Sequence, residues 1–120
     1  MHGGRMGRLT THILDTAQGG PASNQDIRLF SIGESRKQIA HAVTNDDGRT
    51  ARPLLDGSLM VSGSYELEFD IGDYFRARGV ELPDPAFLDT VVIRFSVNGD
   101  EDYHVPLLAS PWSYSTYRGS

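Results

Sequence analysis

Two histidines and one arginine carry most of the chemistry this sequence could perform. Histidine is the side chain whose ordinary pKa lies nearest neutrality, so a pair of them can take a proton from one group and give it to another. The chain has four: His2, His12, His41 and His104. His2 lies in a Gly-rich start without pattern and is expected to be inert. His41 falls between Ile39 and Val43 in a strand-like run, where a hydrogen-bonded or partly exposed structural role is expected, since an unpaired buried polar group is costly. His12 and His104 are placed differently. Leu9, Thr11 and Ile13 share one face of a strand, so His12 points the other way; Tyr103, Val105 and Leu107 share a face, so His104 also points away from its apolar neighbours. Spacing alone leaves two readings open, a pair of ordinary surface histidines or one shared polar site. Arg49 closes the run Asp46-Asp47-Gly48-Arg49-Thr50 and is either a solvated turn residue or an anchor for an anion, which a guanidinium holds with parallel hydrogen bonds.

The other chemically able residues form no further site. Glu66, Glu68 and Asp70 alternate with apolar residues and read as the solvated face of a strand. Asp100-Glu101-Asp102 lacks the spaced oxygen ligands of a calcium loop and reads as a solvated turn. His12 and His104 have no third ligand at a metal-like spacing, so no metal site is expected. No phosphate-cradling glycine loop, dinucleotide fingerprint or nucleophile elbow is present, and no cofactor is expected.

These residues must be positioned by strands. Residues 64–71 put Tyr65, Leu67, Phe69 and Ile71 on one face and Glu66, Glu68 and Asp70 on the other; residues 90–97 repeat the pattern with Val91, Ile93, Phe95 and Val97. Asn98-Gly99 then supplies turn chemistry, and 103–108 is expected to return as the next strand. Further strands are expected at 9–14, 27–32, 38–44, 54–59 and 113–118. Tyr74, Phe75 and Ala77 among Arg76 and Arg78, followed by Gly79, predict a short helix over 73–79. The reading is all-β with one short helix, a β-sandwich.

The 120 residues fit one domain, long enough for a modest core, with residues 1–7 expected as a loose tail and 8–120 as the domain. The absence of cysteine excludes disulfides and thiolate chemistry. A net charge of −5 with a single lysine, Lys37, argues against a nucleic-acid partner. No apolar run approaches a membrane span and the start has no apolar signal region, so a cytoplasmic location is expected.

At the level of motifs the chain resembles the 5-hydroxyisourate hydrolases of the transthyretin-like family. The resemblance rests on Leu9-Thr10-Thr11-His12-Ile13-Leu14-Asp15-Thr16, on Thr44-Asn45-Asp46-Asp47-Gly48-Arg49-Thr50, on Tyr103-His104-Val105-Pro106-Leu107-Leu108, and on the final Tyr117-Arg118-Gly119-Ser120, in the family's order. The stretch from Tyr65 through Tyr74-Phe75 to Leu82-Pro83-Asp84-Pro85 fits as well, while residues 23–39 depart from the pattern at loop and edge positions. The resemblance implies a sandwich of two four-stranded sheets, a homotetramer built as a dimer of dimers, and a catalytic set of His12, Arg49 and His104. It implies substrate contacts from His12, Arg49, Tyr117 and Ser120, gathered at a subunit interface. The implied reaction is hydrolytic ring opening of 5-hydroxyisourate to 2-oxo-4-hydroxy-4-carboxy-5-ureidoimidazoline in urate breakdown, without a covalent intermediate. The competing expectation is a non-catalytic carrier of small ligands on the same fold, since one fold hosts many functions.

Overall fold

The computed structural model of the chain describes residues 7–120. His2 and most of the expected tail lie outside them. Gly7 is buried and donates its N–H to the Gly99 carbonyl at 2.9 Å.

One layer is a four-stranded antiparallel sheet, in the order β5-β4-β7-β8, made of β4 (Asp26–Ile32), β5 (Arg36–Val43), β7 (Gly63–Asp70) and β8 (Thr90–Val97). Its inner face carries Ile27, Leu29, Leu67, Phe69, Val91 and Ile93, all buried. The outer face is not merely solvated. Arg28 lies opposite Glu68 and binds Glu68 and Asp70 at 2.7 Å each, while Arg36 binds Glu66 and Glu68 at 2.8 Å. The alternating carboxylates therefore form a cross-strand lattice, the arrangement in which opposite charges stabilise a sheet. A bulge between Leu29 and Phe30 leaves Ile39 of β5 without a direct partner in β4.

The facing layer is interrupted. Residues expected as a single strand at 9–14 form β1 (Arg8–Thr10) and β2 (Ile13–Asp15). Their partner is likewise divided into β9 (Tyr103–His104) and β10 (Leu107–Ala109). The two halves share one parallel register, Thr10 opposite His104 and Ile13 opposite Leu107, so nothing slips across the break. Pro106 has no N–H to give, and the ladder is bridged by the Val105 N–H to the Thr10 carbonyl and the Leu107 N–H to the His12 carbonyl. With β3 (Gly20–Pro21), β6 (Leu55–Asp56) and β11 (Tyr114–Ser115), this layer is a three-stranded piece, β6-β1-β9, beside a four-stranded piece, β11-β10-β2-β3. The implied second four-stranded sheet is therefore two pieces.

Three further expectations are corrected. Residues 103–108 do not return along β8; they cross to the other layer and run parallel to β1 and β2, because Val105 and Leu107 are buried there beside Leu9 and Ile13. Residues 57–59 form a 3-10 turn rather than strand. Only Tyr114–Ser115 of the expected last strand is paired as strand, after which the tail meets the sheet once more at Gly119.

The helix α1 (Ile71–Ala77) begins two residues before the expected start, directly at the end of β7, and buries Ile71, Tyr74 and Phe75. Gly79 closes it, donating to the Arg76 carbonyl. Tyr74 donates its hydroxyl to the buried Asp15 carboxylate at 3.0 Å, and this pins the helix to the layer that carries His12.

Candidate active site

The break in the second layer is where His12, His104 and Arg49 come together. Leu9, Thr11 and Ile13 are buried in the core at 2% exposure or less, as strand parity requires, so Thr10 and His12 project to the opposite face. The Thr11 hydroxyl donates to the Val105 carbonyl at 2.7 Å and fixes the backbone between them. Across the parallel register His104 stands opposite Thr10. His12 Nδ1 and His104 Nε2 are 2.6 Å apart, and the rings are stacked with centroids at 4.8 Å and planes at 17°. His104 Nδ1 is 2.8 Å from Thr10 Oγ1. The two histidines thus spend one nitrogen each on the other, a different arrangement from two lone pairs converging on an ion. Among the described residues no cluster of three His, Cys, Asp or Glu side chains could hold a metal.

Arg49 arrives by a turn whose sequence dictates its shape. The Asn45 side-chain oxygen accepts the N–H groups of Asp47 at 2.9 Å and Arg49 at 3.2 Å, the self-bonding turn that Asn favours. Gly48 has φ 72°, and its carbonyl accepts the Ile13 N–H at 2.8 Å. A Cβ at Gly48 would sit 2.5 Å from the Ile13 carbonyl oxygen, so only glycine permits both the left-handed backbone and the close approach. The result is a bridge between Arg49 and His12. The Arg49 side chain is exposed and has no carboxylate partner among the described residues. It lines a groove of about 230 Å³ with Arg8, Thr10, Thr11, Thr50 and Arg52, three arginines in one depression.

Electrostatics hold both histidines neutral. His12 is 8% exposed; burial, then His104, then Arg49 push its pKa down to about 4. Burial and then Arg49 also lower that of His104. An imidazole that resists protonation keeps a lone pair at neutral pH, which a base needs.

The tail reaches the same place through its backbone. Gly119 donates to the His104 carbonyl at 2.7 Å and accepts the His104 N–H at 3.1 Å. A Cβ there would meet the His104 Cβ at 3.1 Å, so glycine lets the tail lie flush against the histidine strand. Ser120 is exposed just beyond this bridge. Tyr117 is exposed and contributes to a different groove, of about 260 Å³, with Phe95, Tyr103, Val105 and Arg118. A larger groove of about 450 Å³, lined by residues such as Ser23, Asp73 and Arg78, contains none of the predicted site residues. His41 is a surface residue, 3.0 Å from Asp26. The loop 100–102 ties the two chain ends together, with Asp102 accepting the Arg8 N–H and Glu101 pairing with Arg118. Sequence reasoning missed Thr10, Arg8 and Arg52; for Thr10 the signal was available, since it lies two residues before His12 on the same face.

Fold and site together define a transthyretin-like sandwich that carries two histidines in contact beside an exposed arginine. The sequence model of the HIUase/Transthyretin family matches residues 9–119. A 5-hydroxyisourate hydrolase of Ralstonia nicotianae is 59% identical over 117 residues, covering 96% of this chain and 100% of that protein. The solved structure of an (S)-allantoin synthase superposes with a TM-score of 0.92 at 45% identity, covering 98% of this chain but only 45% of the other, so this chain spans less than half of that one. The structure of Klebsiella pneumoniae 5-hydroxyisourate hydrolase superposes with a TM-score of 0.78 at 34% identity, covering 97% of this chain and 95% of that one. The chain belongs to the HIUase/Transthyretin family.

Proposed function

We propose that this chain hydrolyses 5-hydroxyisourate to 2-oxo-4-hydroxy-4-carboxy-5-ureidoimidazoline in purine breakdown. Relatives that it matches along nearly their whole length bear the name of that hydrolase. The observation that carries the reading at the site is the contact of His12 with His104 at 2.6 Å beside the exposed Arg49.

The reaction adds water to a ring amide carbonyl and breaks the carbon–nitrogen bond. The water oxygen bonds to the carbonyl carbon as the histidine pair removes a proton. The oxyanion that develops is stabilised by the Arg49 guanidinium, and the leaving ring nitrogen takes a proton back from the pair as the carboxylate forms. No protein nucleophile is needed, in keeping with a chain without cysteine. In this reading the pocket is completed between subunits of a homotetramer, where Ser120, beside the His104 strand, and Tyr117, which lines a separate groove on its own subunit, bind the ring. No described helix is long and apolar enough to cross a membrane; the substrate is a small anion met in water. Binding alone gives no reason to hold two imidazoles neutral and in contact, which favours hydrolysis over the carrier reading.

The test is direct. Urate oxidase generates 5-hydroxyisourate in the cuvette, and its ultraviolet absorbance decays on its own. This protein is expected to accelerate the decay at catalytic concentration. Decay at the spontaneous rate would favour the carrier.

A further inference from the structure

The hydrogen-bonded chain at the site has a third member, and its chemistry fixes what the other two can do. Thr10 Oγ1, the His104 ring and the His12 ring are joined by contacts of 2.8 and 2.6 Å. A neutral imidazole has one N–H and one lone pair, so each contact holds one proton, and the direction of one contact dictates the direction of the next. If the Thr10 hydroxyl donates to His104 Nδ1, then His104 Nε2–H donates to His12 Nδ1, and His12 presents an N–H outward. If the hydroxyl accepts from His104 Nδ1–H, then His104 Nε2 accepts from His12 Nδ1–H, and His12 Nε2 presents a lone pair.

The surroundings favour the second arrangement. Besides His104, the Thr10 hydroxyl faces the Tyr103 carbonyl at 3.5 Å, and a carbonyl only accepts. Directing its hydrogen there leaves the hydroxyl oxygen free to accept from His104. At the far end, His12 Nε2 has no hydrogen-bond partner among the described residues and is not a sealed-off polar atom. The sheet holds the geometry rigid, because Thr10 and His104 are register partners in β1 and β9.

We infer that Thr10 is a positioning residue that sets the tautomer of His104, and through it directs a lone pair outward on His12 Nε2, the atom that takes the proton from the attacking water. The inference rests on the hydrolase reading for the role of that proton and on geometry for the tautomer. The proton taken from the water leaves His12 with an N–H on both ring nitrogens, and the Nε2 proton then passes to the leaving nitrogen, which returns the pair to its neutral tautomers. A single residue pair thereby serves as base and then acid.

The experiment joins spectroscopy to kinetics. Two-bond proton–nitrogen correlation spectra of the 15N-histidine-labelled protein, taken without substrate near neutral pH, report which ring nitrogen carries the proton. Both His12 and His104 are expected to be protonated on Nδ1, with the surface residue His41 as internal reference. Thr10→Val keeps the shape and removes the hydroxyl; it is expected to mix the His104 tautomers and to lower kcat by about 10- to 100-fold, with KM little changed. Thr10→Ser should restore both. A wild-type His12 protonated on Nε2 would overturn the inference without any variant. So would a folded Thr10→Val with unchanged tautomers or unchanged kcat. Because the spectra need no turnover, a wild type without hydrolase activity would sink the functional reading and leave the tautomer result standing on its own.

Discussion

His12 is nearly buried, with a second imidazole in contact and an arginine nearby, and all three circumstances oppose a positive charge on it. The consequence for activity has a definite sign. The first proton to reach the pair on acidification disables the base, and its pKa belongs to the pair. The acid limb of kcat/KM is therefore expected below the ordinary histidine value of 6.5. A limb centred at or above 6.5 would contradict the neutral pair. Stability follows the same linkage: a folded pKa lowered towards 4 costs nothing above 6.5, and stability falls with pH from there downward as the unfolded chain binds protons first. Much of this residue-scale picture was legible. Alternating side chains sent His12 and His104 off the core face, and that was right. What parity does not contain is distance: the 2.6 Å contact depends on a parallel register between residues 92 apart in the chain. Parity puts Thr10 on the face of His12, but a threonine declares no role until the imidazole opposite it is known.

At the scale of elements, the turn 45–49 does the most for the site. Asn and Gly were readable as turn residues, but their target was not. Gly48 both adopts φ 72° and accepts a hydrogen bond from Ile13, so the turn is docked on the strand that bears His12. Gly48→Ala is expected to destabilise the fold by about 1–3 kcal/mol, the cost of a strained backbone, and to raise KM by displacing Arg49. Chemical denaturation and steady-state kinetics on the same sample check both; a stable variant with wild-type KM would show that the turn does not place Arg49. The strands with strict alternation, β7 and β8, were read at nearly their true length because charge and apolarity separate cleanly on them. The layer that holds the site was read less well. Pro106 breaks its ladder, and Asn98-Gly99 has the chemistry of a hairpin turn, which predicts residues 103–108 as a strand returning along β8. Local turn chemistry cannot announce that the chain crosses to another layer; the burial of Val105 and Leu107 against Leu9 and Ile13 decides it.

For the whole molecule, β5 and β8 are the outer strands of their sheet, and Trp112, Tyr114 and Tyr117 are exposed near the tail. Open strand edges and exposed aromatics are features that association covers, and they support the proposed homotetramer. Sedimentation is expected to give a tetramer, with activity lost on dilution or mutation to monomers; a fully active monomer would remove the interfacial pocket from the account. The family resemblance was visible in four motifs before any geometry, whereas the composition alone reached no further than a cysteine-free acidic domain. In the proposed reaction the hydrolysis depends on His12 and Arg49. The measurement that tests it most directly is the ultraviolet decay of 5-hydroxyisourate with wild type, His12→Ala and Arg49→Ala at matched concentration and oligomeric state. Wild type should accelerate the decay and both variants should lose at least about 100-fold of that acceleration; near-wild-type rates in either variant would contradict the account.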